Sequence, residues 1–369
     1  MGAGLVLSPH LVGMHFHRWP EGNPLSPAPT YGFGTVRSHD YGGLRNPGIR
    51  WTSIHTADAT YNWTTLDVWV NTHAAAGRKL VYTLHGTPAY LRTSDVNDPY
   101  GSVYGSVGGS SVPSDAAAGY PALQAFITAL VNRYNDGTPE GRKIDVIEAW
   151  NEPKFDGLET GFWYGTAPQA VDLARAVKLG IAASIDPGVK VWSLGIVNGL
   201  NPGGALDVFL GAQSAAQPGT YGRDWVDEIS VHGYGYGATA QNPYGMADYR
   251  FTQIKETLAR YPSIAGIPVH FSEYGGDLTP QPGSLQSTWT PAQWGMFNAR
   301  NVVYHGLLGI QTVCQYSHDD AFSGDYTLPE FADPLNRVHT ELAGRTITQA
   351  RILLDGALDL IVDGEAVRL

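Results

Sequence analysis

Eight short apolar runs alternate with amphipathic stretches along the 369 residues, and this alternation predicts an α/β fold. The runs are almost continuously apolar, as expected for parallel strands that are buried on both faces. Eight is also the number of strands that closes a barrel. We therefore predict a (β/α)8 TIM barrel, while noting that a doubly wound open sheet has the same periodicity.

The predicted elements follow one another in a regular order. The strands are residues 12–16, 34–37, 79–84, 146–150, 190–194, 228–231, 269–272 and 310–316. The helices between them are residues 64–76, 122–134, 167–184, 249–261 and 291–304. Two polar stretches, 92–119 after the third strand and 275–290 after the seventh, are predicted to be loops at the C-terminal face of the barrel, where active sites are built.

The end of the chain alternates apolar and polar residues around Asp363 and Gly364, a dipeptide typical of a tight hairpin turn. We therefore predict two parts, a catalytic barrel over residues 1–344 and a C-terminal β extension over residues 345–369 that packs on it as a short hairpin.

Composition excludes several classes of partner. The chain has 23 Lys and Arg against 34 Asp and Glu, a net charge of −11, and no basic run, so neither nucleic acid nor an anionic membrane surface is expected to bind it. No apolar run approaches the roughly 18 residues of a membrane helix. The single cysteine, Cys314, excludes an internal disulfide and a multi-cysteine metal site.

Cellular location stays open at this point. Residues 1–19 lack a basic segment followed by an apolar stretch, so no signal peptide is expected in this sequence. A secreted or periplasmic place is favoured over the cytoplasm.

Two glutamates end predicted strands in matching ways. Glu152 stands in Asn151-Glu152-Pro153 after the fourth strand, and Glu273 follows the seventh strand before Tyr274 and a glycine turn. In a closed barrel both strand ends face the mouth. Two facing carboxyl groups are what glycoside hydrolysis needs, one as an acid and the other as a nucleophile or base. A carbohydrate is therefore the expected substrate.

The chain resembles the clan A glycoside hydrolases, and most of all family 39, up to about residue 344. The matching segments are Arg37-Ser38-His39, Gly86-Thr87-Pro88, Trp150-Asn151-Glu152-Pro153, the stretch from Asp227 to Tyr234 with His232 and Tyr234, and Phe271-Ser272-Glu273-Tyr274. It departs from the family at Tyr316-Ser317-His318-Asp319-Asp320, where the family has Trp-Thr-Phe-Ser-Asp. Family 39 enzymes are retaining (β/α)8 barrels.

The resemblance implies a role for each matched residue. Glu152 is the general acid and then the base, Glu273 is the nucleophile, and Asn151 donates to the 2-hydroxyl of the sugar. Tyr234, His232 and Arg37 hold Glu273, while His39, His85 and Asp320 bind sugar hydroxyls. Two or three of six aromatic residues are expected to stack on sugar rings, and the six are Tyr90, Trp163, Tyr236, Trp289, Trp294 and Tyr316.

Two other functions fit parts of the sequence. His15 and His17 share one face of the first strand, as in barrel hydrolases that use a metal-activated water. A catalytically inactive carbohydrate-binding barrel is the other alternative. The two-carboxylate reaction needs neither metal nor cofactor, and none is expected. Gly32 and Gly34 lack the context of a dinucleotide-binding loop.

Overall fold

A computed structural model describes residues 4–16, 29, 31–39, 48–93, 111–155, 162–234, 244–275, 289–318, 326–353 and 355–369. Most of the two predicted mouth loops, together with His17, Tyr236 and Asp320, lies outside these residues. Among the residues described, no helix is long and apolar enough to cross a membrane.

The strands are short, and the eight longest parallel ones match the apolar runs of the sequence. In chain order they are β1 Leu5–Val6, β2 Val12–His15, β3 Thr35–Arg37, β4 His55–Ala57, β5 Thr60–Tyr61, β6 Lys79–Thr83, β7 Val146–Glu148, β8 Lys154–Phe155, β9 Tyr164–Gly165, β10 Lys190–Trp192, β11 Ile229–Tyr234, β12 Val269–Gly275, β13 Thr312–Gln315, β14 Thr346–Ile352, β15 Leu358–Val362 and β16 Glu365–Arg368. Each of the eight predicted strands is present, with ends that differ by at most 3 residues.

The eight-stranded sheet has the strand order β10-β7-β6-β3-β2-β13-β12-β11. Parallel bridges between Trp192 and Glu228 and between Ile196 and Val231 join the two ends of that order. The fold is therefore the predicted (β/α)8 TIM barrel. Strands β2, β3, β6, β7, β11, β12 and β13 are buried along almost their whole length, which explains their continuous apolar sequence.

Five of the helices match the predicted amphipathic stretches. The α-helices are α1 Trp51–Ile54, α2 Thr64–Ala75, α3 Pro121–Tyr134, α4 Ala167–Ala182, α5 Ala205–Gly211, α6 Gly245–Ala259, α7 Pro291–Leu307 and α8 Pro329–Arg337, the last continuing as a π-helical turn, Val338–Leu342. Short 3₁₀ turns lie at Ala89–Leu91, Ala116–Ala118, Gly222–Asp224 and Pro262–Ile264. Helices α4 and α7 begin at Thr166 and Thr290, each in a capping box with the glutamine three residues later.

The C-terminal hairpin belongs to a larger sheet than the sequence predicts. Strands β15 and β16 meet at Asp363 and Gly364, whose φ angles of 49° and 92° suit a tight hairpin turn. Strand β14 pairs with β15, and β1 from the start of the chain pairs with β14, giving an antiparallel sheet of order β1-β14-β15-β16. The predicted hairpin did not include β14, which lies within the predicted β extension, and it missed β1, because pairing with a strand more than 300 positions away leaves no local signal. The division at residue 344 stays a proposal.

Contacts divide the chain into two units. The first comprises Met1–Arg37, His232–Thr252 and Pro268–Leu369, and the second comprises Ser38–Val231 and Gln253–Ile267. Glu273 belongs to the first unit and Glu152 to the second.

Candidate active site

Glu273 lies within strand β12, not after it as the sequence predicts. The pairing of β12 with β13 shifts register between Phe271 and Tyr274, so Ser272 and Glu273 occupy an irregularity in the ladder. Such a bulge lengthens one strand and redirects its side chains, and bulges are frequent beside active sites. The prediction ended the strand at Ser272 because it treated the glutamate as a terminator. The bulge instead allows the strand to continue to Gly275.

The carboxylate of Glu273 is almost fully buried, with 3% of the residue exposed, and it is held by three side chains. Arg37 donates from Nη1 to Oε1 at 2.6 Å. The Tyr234 hydroxyl donates to Oε2 at 2.5 Å, and Nδ1 of His232 lies 3.3 Å from the same oxygen. A cation and a phenol donor stabilise the ionised form of a buried carboxylate. Glu273 is therefore held in place by charged and polar side chains with little access to solvent.

The guanidinium of Arg37 lies beside two histidines. Its nitrogens lie 3.5 Å from Nε2 of His15 and 3.5 Å from Nε2 of His232. Nε2 of His15 donates to the carbonyl oxygen of Ser272 at 2.7 Å, since a carbonyl can only accept. His15 thus ties strand β2 to the residue preceding Glu273. This contact uses Nε2 of His15, and His17 lies outside the described residues.

Aromatic side chains surround this anion on the side of strand β13. The ring of Tyr316 lies 5.2 Å from that of His15 and 6.5 Å from that of Tyr234, both in edge-to-face contact. Tyr316 is half-buried, so part of its ring is accessible. Next to it, the Tyr31 hydroxyl bonds to Nδ1 of the buried His318 at 2.8 Å. Sequence reasoning missed Tyr31, which carries no motif.

In the second unit, Asn151 and Glu152 follow strand β7 directly. The backbone of Asn151 donates to Leu84 at 3.1 Å, and that of Glu152 donates to Gly195 at 3.0 Å. Glu152 has a φ angle of 40°, which an L-residue adopts only at a cost. Strained backbone of this kind is concentrated at functional sites. Glu152 is half-buried, and Asn151 is buried.

A cluster of three rings lies beside Glu152 in the same unit. Nε2 of His39 lies 3.0 Å from Nδ1 of His85, and the two rings are stacked. The ring of Phe162 packs edge-on against His85 at 4.9 Å. The backbone N–H of Phe162 donates to the carbonyl of Glu152 at 2.7 Å. Phe162 was missed by sequence reasoning because it stands in a polar loop without a motif.

A second buried carboxylate, Glu148, was also missed. It lies four residues before Glu152 in strand β7 and is completely buried. Thr83 donates to Oε2 at 2.8 Å and Ser230 donates to Oε1 at 2.5 Å. A charged residue inside an otherwise apolar strand was the available signal. Its hydroxyl partners indicate that Glu148 joins strands β6, β7 and β11.

Two of the predicted sugar-stacking residues are buried. Trp163 is completely buried, and Trp294 is only 5% exposed, in edge-on contact with Phe297. Their role in binding a sugar stays a prediction. Sequence cannot distinguish a buried indole from an exposed one, because both roles use the same residue.

Three other candidates keep an accessible surface. Tyr90 is 38% exposed, and its hydroxyl lies 2.7 Å from Nε2 of His55. Trp289 and Tyr316 are half-buried. Nδ1 of His55 accepts from Trp51 at 3.1 Å, so the proton of the neutral ring is on Nε2 and points to Tyr90. Burial lowers the pKa of His55 to about 4, in keeping with a neutral ring.

Comparison with known proteins gives matches at the level of structure. No protein-family model and no curated protein sequence matches the chain. A family 39 β-xylosidase from Caulobacter crescentus superposes with a TM-score of 0.62 over 97% of this chain and 76% of its own, at 18% identity. A family 39 enzyme from Xanthomonas axonopodis pv. citri gives 0.61 over 98% and 73%, at 16% identity.

A glucosidase from Croceicoccus marinus is similar to the same degree, with a TM-score of 0.61 over 96% of this chain and 73% of its own, at 15% identity. Each of these matches spans nearly the whole chain. The chain therefore has the (β/α)8 fold of the clan A glycoside hydrolases and is similar in structure to those of family 39.

Proposed function

We propose that this protein is a retaining glycoside hydrolase that cleaves an oligo- or polysaccharide, with Glu273 as nucleophile and Glu152 as acid and base. The observation that carries the proposal is the buried Glu273 carboxylate, which is paired with Arg37 and Tyr234. A buried carboxyl group positioned by an arginine and a tyrosine, close to the partly accessible ring of Tyr316, is suited to attack an anomeric carbon. The strained Glu152 and the clan A fold support the assignment of its partner.

The proposed reaction has two displacements. An oxygen of Glu273 attacks the anomeric carbon as the bond to the leaving oxygen breaks, and Glu152 gives its proton to that oxygen. Glu152, now a carboxylate, removes a proton from water, and the water oxygen attacks the anomeric carbon and releases Glu273. The phenol of Tyr234 and the charge of Arg37 keep Glu273 a good leaving group in the second step.

The remaining candidates are proposed to bind the sugar or to position these two groups. Asn151 would donate to the 2-hydroxyl, and His39 and His85 would bind other hydroxyls. Tyr316 and Tyr90 offer ring faces. Arg37 and His232 are completely buried, so their effect on substrate passes through Glu273. Asp320 keeps its predicted role as a hydroxyl ligand.

Turnover of a panel of aryl glycosides by single variants tests the roles. Glu273→Gln should abolish turnover on every substrate, because no other group attacks. Glu152→Ala should stay active on substrates with a good leaving group, which needs little protonation, and added azide should raise that rate by attacking the glycosyl-enzyme. Glu330→Ala, at an exposed glutamate of helix α8, is the control and should leave the rate unchanged.

Equal loss of activity in both variants on an activated substrate, without an azide effect, would refute the roles. Product configuration, followed by NMR during turnover, tests the mechanism, since retention requires the double displacement. A crystal structure should place the two carboxyl groups about 5–5.5 Å apart, whereas a separation beyond about 8 Å would indicate inversion.

The same assay separates the alternatives. Dialysis against a strong chelator should leave the rate unchanged, and elemental analysis should find well under one transition metal per chain. Stoichiometric zinc that is lost together with activity would favour a metal hydrolase using His15 and His17. Binding of oligosaccharides without any turnover would favour an inactive carbohydrate-binding barrel.

A further inference from the structure

A cavity lies beside helix α7, and none of its lining residues belongs to the group described around Glu273. It has a volume of about 420 Å³ and lies between α7, Tyr244 and the turn at Asp355 and Gly356. Gln293, Met296 and Arg300 contribute to it from one face of the helix, at the spacing expected of helical neighbours. The volume falls within the range of small-ligand pockets, about 300–1,000 Å³.

Arg300 is the residue of this cavity that needs a partner. Its Nε atom is buried without a hydrogen bond, and among the described residues no carboxylate lies within ion-pair distance of its guanidinium. A buried donor without an acceptor costs about 1–3 kcal/mol. Arg300 therefore offers a cation, with its planar set of donors, to whatever enters the cavity.

The acidic residue of the cavity, Asp355, is already engaged. It accepts from Arg368 at 3.0 Å and from the backbone of Ala357 at 3.0 Å. The hydrogen bond from Ala357 and the charges of Arg368 and Arg300 lower the pKa of Asp355, so it is an anion. Asp355 is hydrogen-bonded to Arg368, and among the described residues no hydrogen bond or ion pair joins it to Arg300, so the donors of Arg300 face the cavity.

The rest of the lining is rigid and partly apolar. The indole of Trp289 makes edge-on contact with Trp294 at 5.0 Å and lies 5.1 Å from the ring of Phe297. The Tyr244 hydroxyl donates to Gly356 at 2.6 Å, and its ring stacks on Tyr304. An indole with neighbouring amides is the combination that accepts the apolar face and the hydroxyls of a sugar ring.

We propose that this cavity binds a sugar unit that carries a carboxylate, such as a uronic acid residue of a polysaccharide, with the carboxylate on Arg300 and the ring against Trp289. The amides of Gln293 and Asn301 would bind hydroxyls. Only one amide proton of Asn301 is used by its bond to Phe297, at 3.0 Å. The inference deepens the proposed function, because it names an acidic polysaccharide as the substrate class and gives the enzyme a second point of attachment to it.

Direct binding, measured without hydrolysis, tests this inference. The probes are methyl β-D-glucuronide and methyl β-D-glucoside, which differ only at C6, where the first has a carboxylate and the second a hydroxymethyl group. The readout is the Kd of each probe from ligand-observed NMR, measured with the Glu273→Gln variant. The glucuronide should bind at least about tenfold more tightly than the glucoside, and Arg300→Gln should remove that advantage, as loss of a charged hydrogen bond predicts. Arg351→Gln, at an arginine whose side chain is 74% exposed, is the control and should change neither Kd.

Arg300→Lys is the control for a folding defect at this position. It keeps the positive charge and should retain part of the preference for the glucuronide over the glucoside. Equal binding of the two probes, or a preference that survives Arg300→Gln, would overturn the inference, as would failure of both to bind. These outcomes are independent of the hydrolase proposal, because they are read as binding and not as turnover. Turnover of small aryl glycosides by the wild-type protein tests the hydrolase proposal separately.

Discussion

Removal of Arg37 should destabilise the protein far more than removal of a surface arginine. The Arg37 and Glu273 side chains are 0% and 4% exposed, and their charged atoms lie 2.6 Å apart. In the Arg37→Met variant the carboxylate stays buried, beside Tyr234 and His232 but without the charge of the arginine. Leaving one member of a buried pair uncompensated costs about 3–5 kcal/mol of unfolding free energy. That is a large part of the 5–15 kcal/mol by which domains are typically stable.

A double-mutant cycle isolates the pair. Glu273→Gln keeps the shape of the side chain but leaves Arg37 buried without its counter-ion, and we expect a loss of similar size. The double variant Arg37→Met/Glu273→Gln contains neither charge, so its loss should fall at least about 2 kcal/mol short of the sum of the single losses. Urea denaturation gives each value, with equal m-values as the condition for comparing them.

The pair between Arg133 and Asp67 provides the control. It has a similar distance, 2.7 Å, but its side chains are 40% and 33% exposed. Arg133→Met should cost less than about 1 kcal/mol, because water screens exposed pairs. Two results would refute burial as the source of the Arg37 effect. One is an equal loss of unfolding free energy in Arg37→Met and Arg133→Met. The other is a loss in the double variant that equals the sum of the losses in its two single variants.

Three further predictions follow from the geometry. Glu152→Gly should be more stable than Glu152→Ala by about 0.5–1 kcal/mol, because glycine removes the strain of a φ angle of 40°, and equal denaturation midpoints would contradict this. Burial lowers the pKa of His305 to about 4, so the folded state favours the neutral ring. The free energy of unfolding should therefore be highest above pH 6.5 and should fall by at most about 3 kcal/mol as the pH drops towards 4. Denaturation of His305→Gln across that range should show a flatter profile, and an unchanged slope would count against it. Thr83→Val removes a donor from the buried Glu148 and should cost about 1.5–3 kcal/mol, whereas the exposed Thr60→Val should cost almost nothing.

The barrel could be predicted from sequence because its strands are buried on both faces. A strand buried in this way has a continuous apolar run in the sequence. Strands such as β6 and β13 can be recognised by that run. The helix α5, Ala205–Gly211, was not predicted because seven residues hold too few turns to establish a period. The bulge at Glu273 was equally invisible, since it depends on the register of β12 against β13.

Residues of the candidate site could be predicted where they belong to a sequence motif, and not elsewhere. Arg37 and Glu273 are 236 positions apart, and only the family resemblance linked them before the structure did. Phe162 and Tyr31 belong to no motif, because their contribution is a ring in the right place. The sequence also does not reveal that Trp163, an aromatic residue in a mouth-side segment, is completely buried.

The pairing of strand β1 with β14 has a consequence for how the protein is made. Leu5 is opposite Ile347, a separation of 342 positions, and Val12 of β2 is opposite Val313. At a ribosomal rate of about 5–20 residues per second, Ile347 is synthesised roughly 17–70 s after Leu5. Through that interval β1 exposes unpaired N–H and C=O groups, which is the condition in which nascent chains recruit chaperones or pair with one another. The sheet to which β1 belongs can therefore form only after β14 has been synthesised.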